Sequence, residues 1–281
     1  MLGPADPTAM TGVQQISGFG RNDVDLGLDG QGVLVCGAAS GIGAAIASRF
    51  AQEGCRVVGM DVQEPSPGSG AADYSFVRGD VTAIDDVRRV AETFPDLRHI
   101  VYSVGAGAGT MGFPFWNVDP AAWGRVIEVN LIGAVNVAHV FAPELAERRH
   151  GTFLFLVSVA GQIGSQTDPP YSAAKAGLIN FTQCAAKDLA PHNVRVNALS
   201  PGMVKTPLNR SVWAAGQAAL PAEQRQSYEA WTDEKIRRVS PLGRWQTSED
   251  CAAVAVFLSS EQAKNITGQT INVDGGQVMH A

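Results

Sequence analysis

Tyr171 and Lys175 stand four residues apart, thirteen residues after Ser158. Four residues is about one helical turn, so phenol and ammonium share one helix face. Such a pair implies a phenol poised for proton transfer. Upstream lies a glycine-rich run, Gly37-Ala38-Ala39-Ser40-Gly41-Ile42-Gly43, directly after an apolar segment. Its glycines allow a tight turn and close backbone approach to a pyrophosphate. The helix that follows offers free N–H groups and a favourable dipole. A nucleotide cradle combined with a Tyr-Lys pair points to hydride chemistry on an alcohol or a carbonyl.

Asp61 comes twenty-four residues after Gly37, at the end of the second apolar strand. A carboxylate there accepts hydrogen bonds from both adenosine ribose hydroxyls and repels a 2′-phosphate. Neither the turn nor the residues after Asp61 bring an Arg or Lys close in sequence, so the expected cofactor is NAD(H) rather than NADP(H). Asp80-Val81 follows a third strand, and this pair suits the amino edge and ring of an adenine. Taken singly, Asp61 is an ordinary turn acid and Asp80 an ordinary helix entry. The glycine turn gives both their context.

Parallel strands joined by helical crossovers are what position such groups. Strands are predicted at Gly32 to Cys36, Arg56 to Met60, Ser75 to Arg78, Ile100 to Ser103, Thr152 to Val157, Arg195 to Leu199 and Thr270 to Val273. Helices are predicted from Gly43 to Glu53 and from Thr82, with Asp85 as a capping-box partner. Another starts at Asp119-Pro120 and runs toward Arg149, disturbed at Pro143. The last two cover Tyr171 to Leu189 and open at a cap from Thr247 to Asp250. Residues 203–244 interrupt this rhythm and carry Trp213 and Trp231. The stretch directly follows a strand whose C-terminal end should face the cofactor, so it is expected to be a lid. Residues 1–29 are read as a flexible tail and 30–281 as one domain.

The 281 residues are 45% hydrophobic, enough for one large α/β core, and carry a net charge of −6. The acidic balance argues against nucleic acid and anionic membranes as partners. No apolar run reaches the roughly 18 residues of a membrane span. The start lacks a basic and apolar leader pattern. Cys36, Cys55, Cys184 and Cys251 form no close pair and are expected to be reduced, with Cys36 and Cys184 as small core residues. That fits a cytoplasmic protein. The five histidines lack metal-ligand spacing, and no metal is expected.

The chain resembles the short-chain dehydrogenase/reductase family from about Gly32 to Gln277. The resemblance rests on five features in order: the glycine turn, Asn130, Ser158, Tyr171-Ser172-Ala173-Ala174-Lys175 and Pro201-Gly202. It implies a Rossmann-like, doubly wound α/β fold with a seven-stranded parallel sheet and helices on both faces. It also implies a nicotinamide cofactor and a homotetramer. Residue by residue, it makes Tyr171 the acid/base. Lys175 binds the nicotinamide ribose and depresses the phenol pKa, and Ser158 bonds the substrate oxygen. Asn130 interrupts its helix and holds a water that links Lys175 to solvent. Pro201, Gly202, Val204 and Thr206 position the carboxamide, Asp61 and Asp80 meet ribose and adenine, and Gly105 lets the backbone approach closely. Two positions depart from the family: Cys36 replaces a threonine, and Tyr102-Ser103-Val104 replaces the Asn-Asn-Ala that braces the central sheet. The tetramer would pack helices Trp123 to Ala146 and Tyr171 to Leu189 about one axis. The last helix and the Gln269 to Val273 strand would pack about another, and residues 278–281 would reach a neighbour or fray.

Ala106, Val159, Gln162, Ile163, Leu208, Trp213 and Trp231 are expected to line the substrate pocket, with Gln166 near them. This mixture of apolar walls and amides suits a ring or medium-sized secondary alcohol or ketone. Lys205 and Arg210 are read as solvated charges. Two alternatives stand beside an NAD-dependent alcohol dehydrogenase. One is a 3-oxoacyl-thioester reductase, which calls for NADPH and a basic docking face. The other is a non-catalytic nicotinamide sensor, which would be expected to lose the tyrosine or the lysine.

Overall fold

The structure is a computed structural model that describes residues 25–65, 74–109, 114–218 and 220–279. Residues 1–24 of the expected tail, and residues 280 and 281 of the C-terminal segment, lie outside these. Residues 25–29 were assigned to the tail, but they pack on the domain. Leu28 is buried, and the Asp25 carbonyl accepts a hydrogen bond from Gln262.

Seven strands form the sheet: β1 (Gly32–Cys36), β2 (Arg56–Asp61), β3 (Ser75–Arg78), β4 (Leu97–Tyr102), β5 (Gly151–Leu156), β6 (Val194–Pro201) and β7 (Thr270–Val273). Their order is β3-β2-β1-β4-β5-β6-β7, with every neighbouring pair parallel. The order reverses direction between β1 and β4. In such sheets the binding crevice opens at that switch point, beyond the carboxyl ends of the strands.

Alternation along the strands divides the core in two. Leu34, Cys36, Ile100, Tyr102, Phe153 and Phe155 face α2 (Ile84–Thr93), α4 (Gly133–Arg148) and α6 (Pro169–Leu189). Val33, Val35, Val101, Leu154 and Leu156 face α1 (Gly41–Gln52) and α9 (Ser248–Ser259). Burial on both faces explains why these strands read as continuous apolar runs. Phe50 of α1 is fully buried in the second layer. Truncating such a ring to alanine costs about 3–5 kcal/mol.

Local signals set several helix ends. Asp168 caps α6, and Pro169 and Pro170 occupy its first turn, where a missing N–H costs nothing. Thr247 and Asp250 form a reciprocal capping box on α9. The expected Thr82–Asp85 box is corrected. Helix α2 starts at Ile84, and the Asp80 carboxylate takes both the amide and the hydroxyl of Thr82. Asp86, not Asp85, closes the turn by accepting the Asp80 amide.

The helix through Asn130 is interrupted, though not at Pro143. Helix α3 (Ala121–Ile127) passes through a π turn at Glu128–Ile132 into α4, which stays helical across Pro143. By length and composition alone, the stretch Ala121–Arg148 is long and apolar enough to cross a membrane. Here it packs on α2, α6 and the sheet as a core helix. Cys184 is exposed on α6, against the expectation of a core thiol. Three helices complete the fold: the short α5 (Ala160–Ile163) after β5, then α7 (Pro207–Ala218) and α8 (Tyr228–Val239) within the segment read as a lid.

Candidate active site

A cleft of about 660 Å³ runs along the carboxyl ends of the central strands. At one end sits the turn between β1 and α1. A Cβ on Gly43 would collide with the Gly37 carbonyl, so only glycine lets the first turn of α1 fold down onto the strand end. Ser40, Gly41 and Ile42 line the cleft beside it.

Asp61 ends β2 and also lines the cleft. Its two carboxylate oxygens accept the amides of Ala39 (3.1 Å) and Gln63 (3.0 Å). Each oxygen keeps a lone pair for a ribose hydroxyl. The sheet adds a neighbour that sequence distance concealed: Arg78 of β3 is in register with Asp61. Among the described residues Arg78 makes no ion pair with Asp61, and it is not part of the cleft wall. Asp80 and Val81 continue the same wall.

The end of the cleft that carries Tyr171 and Lys175 is built by α6. Asp168 accepts the amide of Tyr171 (3.1 Å) through one oxygen and that of Ala108 (2.7 Å) through the other. One carboxylate thus ties the loop after β4 to the helix that carries the phenol. Lys175 is 2% exposed, and its Nζ donates to the carbonyls of Leu156 (2.8 Å) and Val104 (3.4 Å). The same nitrogen lies 5.6 Å from the centroid of the Tyr171 ring. Ser158 accepts the Ala160 amide (3.2 Å) and stands near enough to the Tyr171 phenol to favour its ionised form. An ideal Cβ at Gly105 would lie 3.4 Å from Asn130 Oδ1, 3.7 Å from Lys175 Nζ and 3.9 Å from the Tyr171 ring. Asn130 of the π turn and the Tyr171–Lys175 pair of α6 therefore meet at one backbone position.

Asn130 sits fully buried in the π turn. Its Nδ2 donates to the carbonyls of Ala106 (2.7 Å) and Val126 (2.8 Å), and its Oδ1 accepts the Ala106 amide (3.3 Å). The side chain fixes the loop after β4. Tyr102 supports this arrangement in a way the sequence did not disclose. Its buried hydroxyl donates to the Val129 carbonyl inside the π turn. A Cβ on Gly133 would strike that hydroxyl, so the glycine makes room for it. The brace expected to vanish with Tyr102-Ser103-Val104 is therefore replaced by a phenol anchored in the neighbouring helix. Ser103 also bonds the Cys36 carbonyl through its amide.

The electrostatics of the protein alone differ from the expected depressed phenol. Burial pushes the Tyr171 hydroxyl up to about 12, opposed by the Ser158 contact and assisted by the Asp168 charge. Burial also pulls Lys175 down to about 7. Desolvation disfavours both charged forms, and the Ser158 contact only partly offsets it at the phenol. Cys36 lies inert below the turn, its thiol raised to about 12 by burial and by Asp61.

Pro201, Gly202, Val204 and Thr206 line the far wall. The Pro201 carbonyl accepts the Val159 amide, and Thr206 accepts the Asn209 amide at the start of α7. Of the expected substrate residues, Ala106, Val159, Ile163 and Leu208 line the cleft. Gln162 does not, because its Nε2 donates to Ser200 Oγ (2.6 Å) and Asn272 Oδ1 (2.8 Å). Trp213 and Trp231 are also corrected. Trp231 stacks on Tyr228 at 6.1 Å between centroids and Trp213 meets it edge-on at 5.6 Å, and this cluster holds α7 to α8 outside the cleft wall. The cap instead presents Leu208, Asn209, Val212, Lys235, Arg238 and Val239.

Residues 37–278 match the family model described as Enoyl-(Acyl carrier protein) reductase. A 3-oxoacyl-[acyl-carrier-protein] reductase of Thermotoga maritima is 33% identical over 260 residues, covering 90% of this chain and 99% of the relative. The cis-4-hydroxycyclohexanecarboxylate dehydrogenase of Sinomonas cyclohexanicum is 35% identical over 258 residues, covering 86% and 94%. The ligand-free aldohexose dehydrogenase of Thermoplasma acidophilum superimposes with a TM-score of 0.79 at 28% identity, over 91% of this chain and 96% of that one.

Proposed function

The chain belongs to the short-chain dehydrogenase/reductase family, and on that premise we propose that it interconverts a secondary alcohol and its ketone with NAD(H). The observation that carries this reading is the convergence of Asn130, Tyr171 and Lys175 on Gly105, in the cleft that Asp61 closes at its other end. The glycine turn fits a pyrophosphate, because its close approaches exclude side chains where a phosphate needs N–H groups. The Asp61 lone pairs fit ribose hydroxyls and oppose a 2′-phosphate. The nicotinamide supplies the hydride acceptor or donor.

The protein's own groups do the rest. Tyr171 takes the hydroxyl proton during oxidation and returns it during reduction. Ser158 donates to the same substrate oxygen and stabilises its developing charge. Lys175, bonded to two main-chain carbonyls, holds the ribose side of the site and passes the proton on past Asn130. A phenol near 12 needs this local positive charge to act at neutral pH. The cyclic alcohols and sugars in the names of two relatives support a ring-bearing substrate. Three buried, unpaired thiols suit a reducing cytoplasm. A homotetramer is proposed on family grounds, and a monomer mass by sedimentation would remove it.

The test is absorbance at 340 nm over secondary alcohols and their ketones, with NAD(H) and NADP(H) in parallel and Tyr171→Phe as the blank. The panel includes glycerol, cyclohexanol, 3-hydroxybutyrate and 4-hydroxycyclohexanecarboxylate. Turnover with NAD(H) that disappears in the variant is expected. Activity with NADP(H) alone would overturn the role given to Asp61. The Thermotoga relative favours a second reading, a 3-oxoacyl-thioester reductase. Preference for NADPH and an acetoacetyl thioester over every free alcohol would select it.

A further inference from the structure

The cap over the cleft is basic in an acidic protein. Residues 203–244 hold seven Lys and Arg against four Asp and Glu, whereas the whole chain carries a net charge of −6. Most of these cations are placed away from the cleft. Lys205 lies over the Trp245 ring at 5.3 Å, and Arg210 lies over the Tyr228 ring at 4.4 Å. Two are different. Lys235 and Arg238 stand three residues apart on α8 and both line the cleft, with Val239 completing the same helix face.

Neither cation has a carboxylate within ion-pair distance among the described residues. Lys235 is half-buried, with its ammonium 4.5 Å from the Trp231 ring centroid. Burial and the neighbouring Arg238 bring its pKa down to about 8, as befits a cation short of counter-charge. Arg238 is exposed beside Lys235 at the cleft wall; two neighbouring cations repel each other, and an anion bridging them relieves the repulsion. The two acids that open the far end, Asp61 and Asp80, lie beyond the catalytic residues toward the glycine turn. The lining also holds Asp168, which is occupied by the amides of Tyr171 and Ala108, and Arg125 of α3; Lys235 and Arg238 are the two cations that the cap contributes.

We infer that Lys235 and Arg238 form an anion subsite for the substrate, so that the preferred substrate is a secondary hydroxy acid or the matching oxo acid. A planar carboxylate suits the guanidinium fork of Arg238, with the Lys235 ammonium as a mobile second donor. Leu208, Val212 and Val239 supply the apolar wall between this subsite and the reacting carbon. The inference rests on the alcohol–ketone reading above and adds the charge of the substrate to it.

The experiment compares kcat/KM for 4-hydroxycyclohexanecarboxylate and 3-hydroxybutyrate with that for their methyl esters, in the wild type and in the double variant Lys235→Gln/Arg238→Gln. The acid should exceed its ester by at least tenfold in the wild type, and the ratio should collapse to near one in the double variant. The KM for NAD should be the same in both proteins. Acids and esters used equally well by the wild type would overturn the subsite and leave the alcohol–ketone reading in place. A raised KM for NAD with an unchanged acid-to-ester ratio would overturn it too, by assigning the two cations to the cofactor pyrophosphate. If neither protein turns over any member of the panel, the reaction assignment fails by itself. Quenching of NADH fluorescence by 4-oxocyclohexanecarboxylate then decides the subsite. Binding by the wild type and loss of binding by the double variant would uphold it, and equal binding or none would sink it.

Discussion

On the floor of the cleft, Lys175 is 2% exposed and its ammonium is bonded to two main-chain carbonyls. In the cap, Lys235 is half-buried and rests against the Trp231 ring. The floor is fixed by directional bonds that join β4, β5, the π turn and α6. The cap is held by ring contacts, cation–π contacts and hydrogen bonds of mostly exposed groups, Tyr228 to Asn209, Trp213 to the Gln226 carbonyl and the Gln226 amide to Gln217. Directional bonds between buried groups lock one geometry, because each unmade bond costs a full desolvation penalty. Ring contacts tolerate small shifts. The floor is therefore suited to proton transfer, which demands fixed distances, and the cap to admitting and sorting substrates.

The largest effect should come from breaking the floor at its reacting atom. Tyr171→Phe is expected to lower kcat by about 10²–10⁴-fold, while NADH still binds by fluorescence. A variant that keeps a tenth of the activity would take the proton chemistry away from Tyr171. At the other end of the cleft, Asp61→Asn should cut the NAD over NADP preference about tenfold or more. That is roughly 1.4 kcal/mol of lost discrimination. An unchanged ratio would take the selectivity away from the Asp61 charge, since the neighbouring Arg78 would favour a 2′-phosphate.

Tyr102→Phe tests whether the floor depends on the phenol below the π turn. It leaves the buried Val129 carbonyl without this donor, at a cost of about 1–3 kcal/mol in stability. Through Asn130 and Ala106, kcat should drop about tenfold with little change in the KM for NAD. Loss of stability alone, with kcat intact, would make Tyr102 a packing residue only. In the cap, Tyr228→Leu should raise the substrate KM a few-fold and change kcat by less than twofold. A large loss of kcat there would erase the contrast between the two regions.

The smallest effect concerns pH and also separates the regions. The folded pKa of Lys175, about 7, lies below its ordinary value of 10.5. Between those values the unfolded chain binds more protons, so this lysine makes stability rise with pH from about 7 to 10. The Tyr171 hydroxyl is raised from 10.0 to about 12, so its contribution is lost as pH climbs from about 10 to 12. In cofactor-free protein, the wild-type Tm minus that of Lys175→Met should therefore increase between pH 7 and 10. A constant difference would mean that Lys175 is solvated in a way its burial denies.

Much of the floor could be read from the sequence because local rules act there. The glycine turn, the Tyr171–Lys175 spacing and the Thr247 capping box are each set by residues within a few positions of one another. The continuous apolar runs gave the strands, and their alternation with helical patterns gave a parallel sheet. Wherever the partner lies far along the chain, the reading failed. Gln162 looked like a pocket amide until β6 and β7 supplied Ser200 and Asn272. Trp213 and Trp231 looked like lid aromatics until Tyr228 came between them. Tyr102 looked like the loss of a brace because its acceptor is twenty-seven residues away.

The sequence by itself determined the oxidoreductase family and marked the residues proposed to carry the reaction, since the glycine turn and the Tyr171–Lys175 pair depend on short-range spacing. Only the tertiary structure decided which charges face the cleft. Lys205, Arg210, Lys235 and Arg238 are indistinguishable as letters. Lys205, Arg210 and Lys235 all rest on rings, and the packing of α7 and α8 leaves only Lys235 and Arg238 of the four in the cleft wall. Side-chain direction in a cap follows from how its helices dock, and docking depends on contacts between residues distant in the chain.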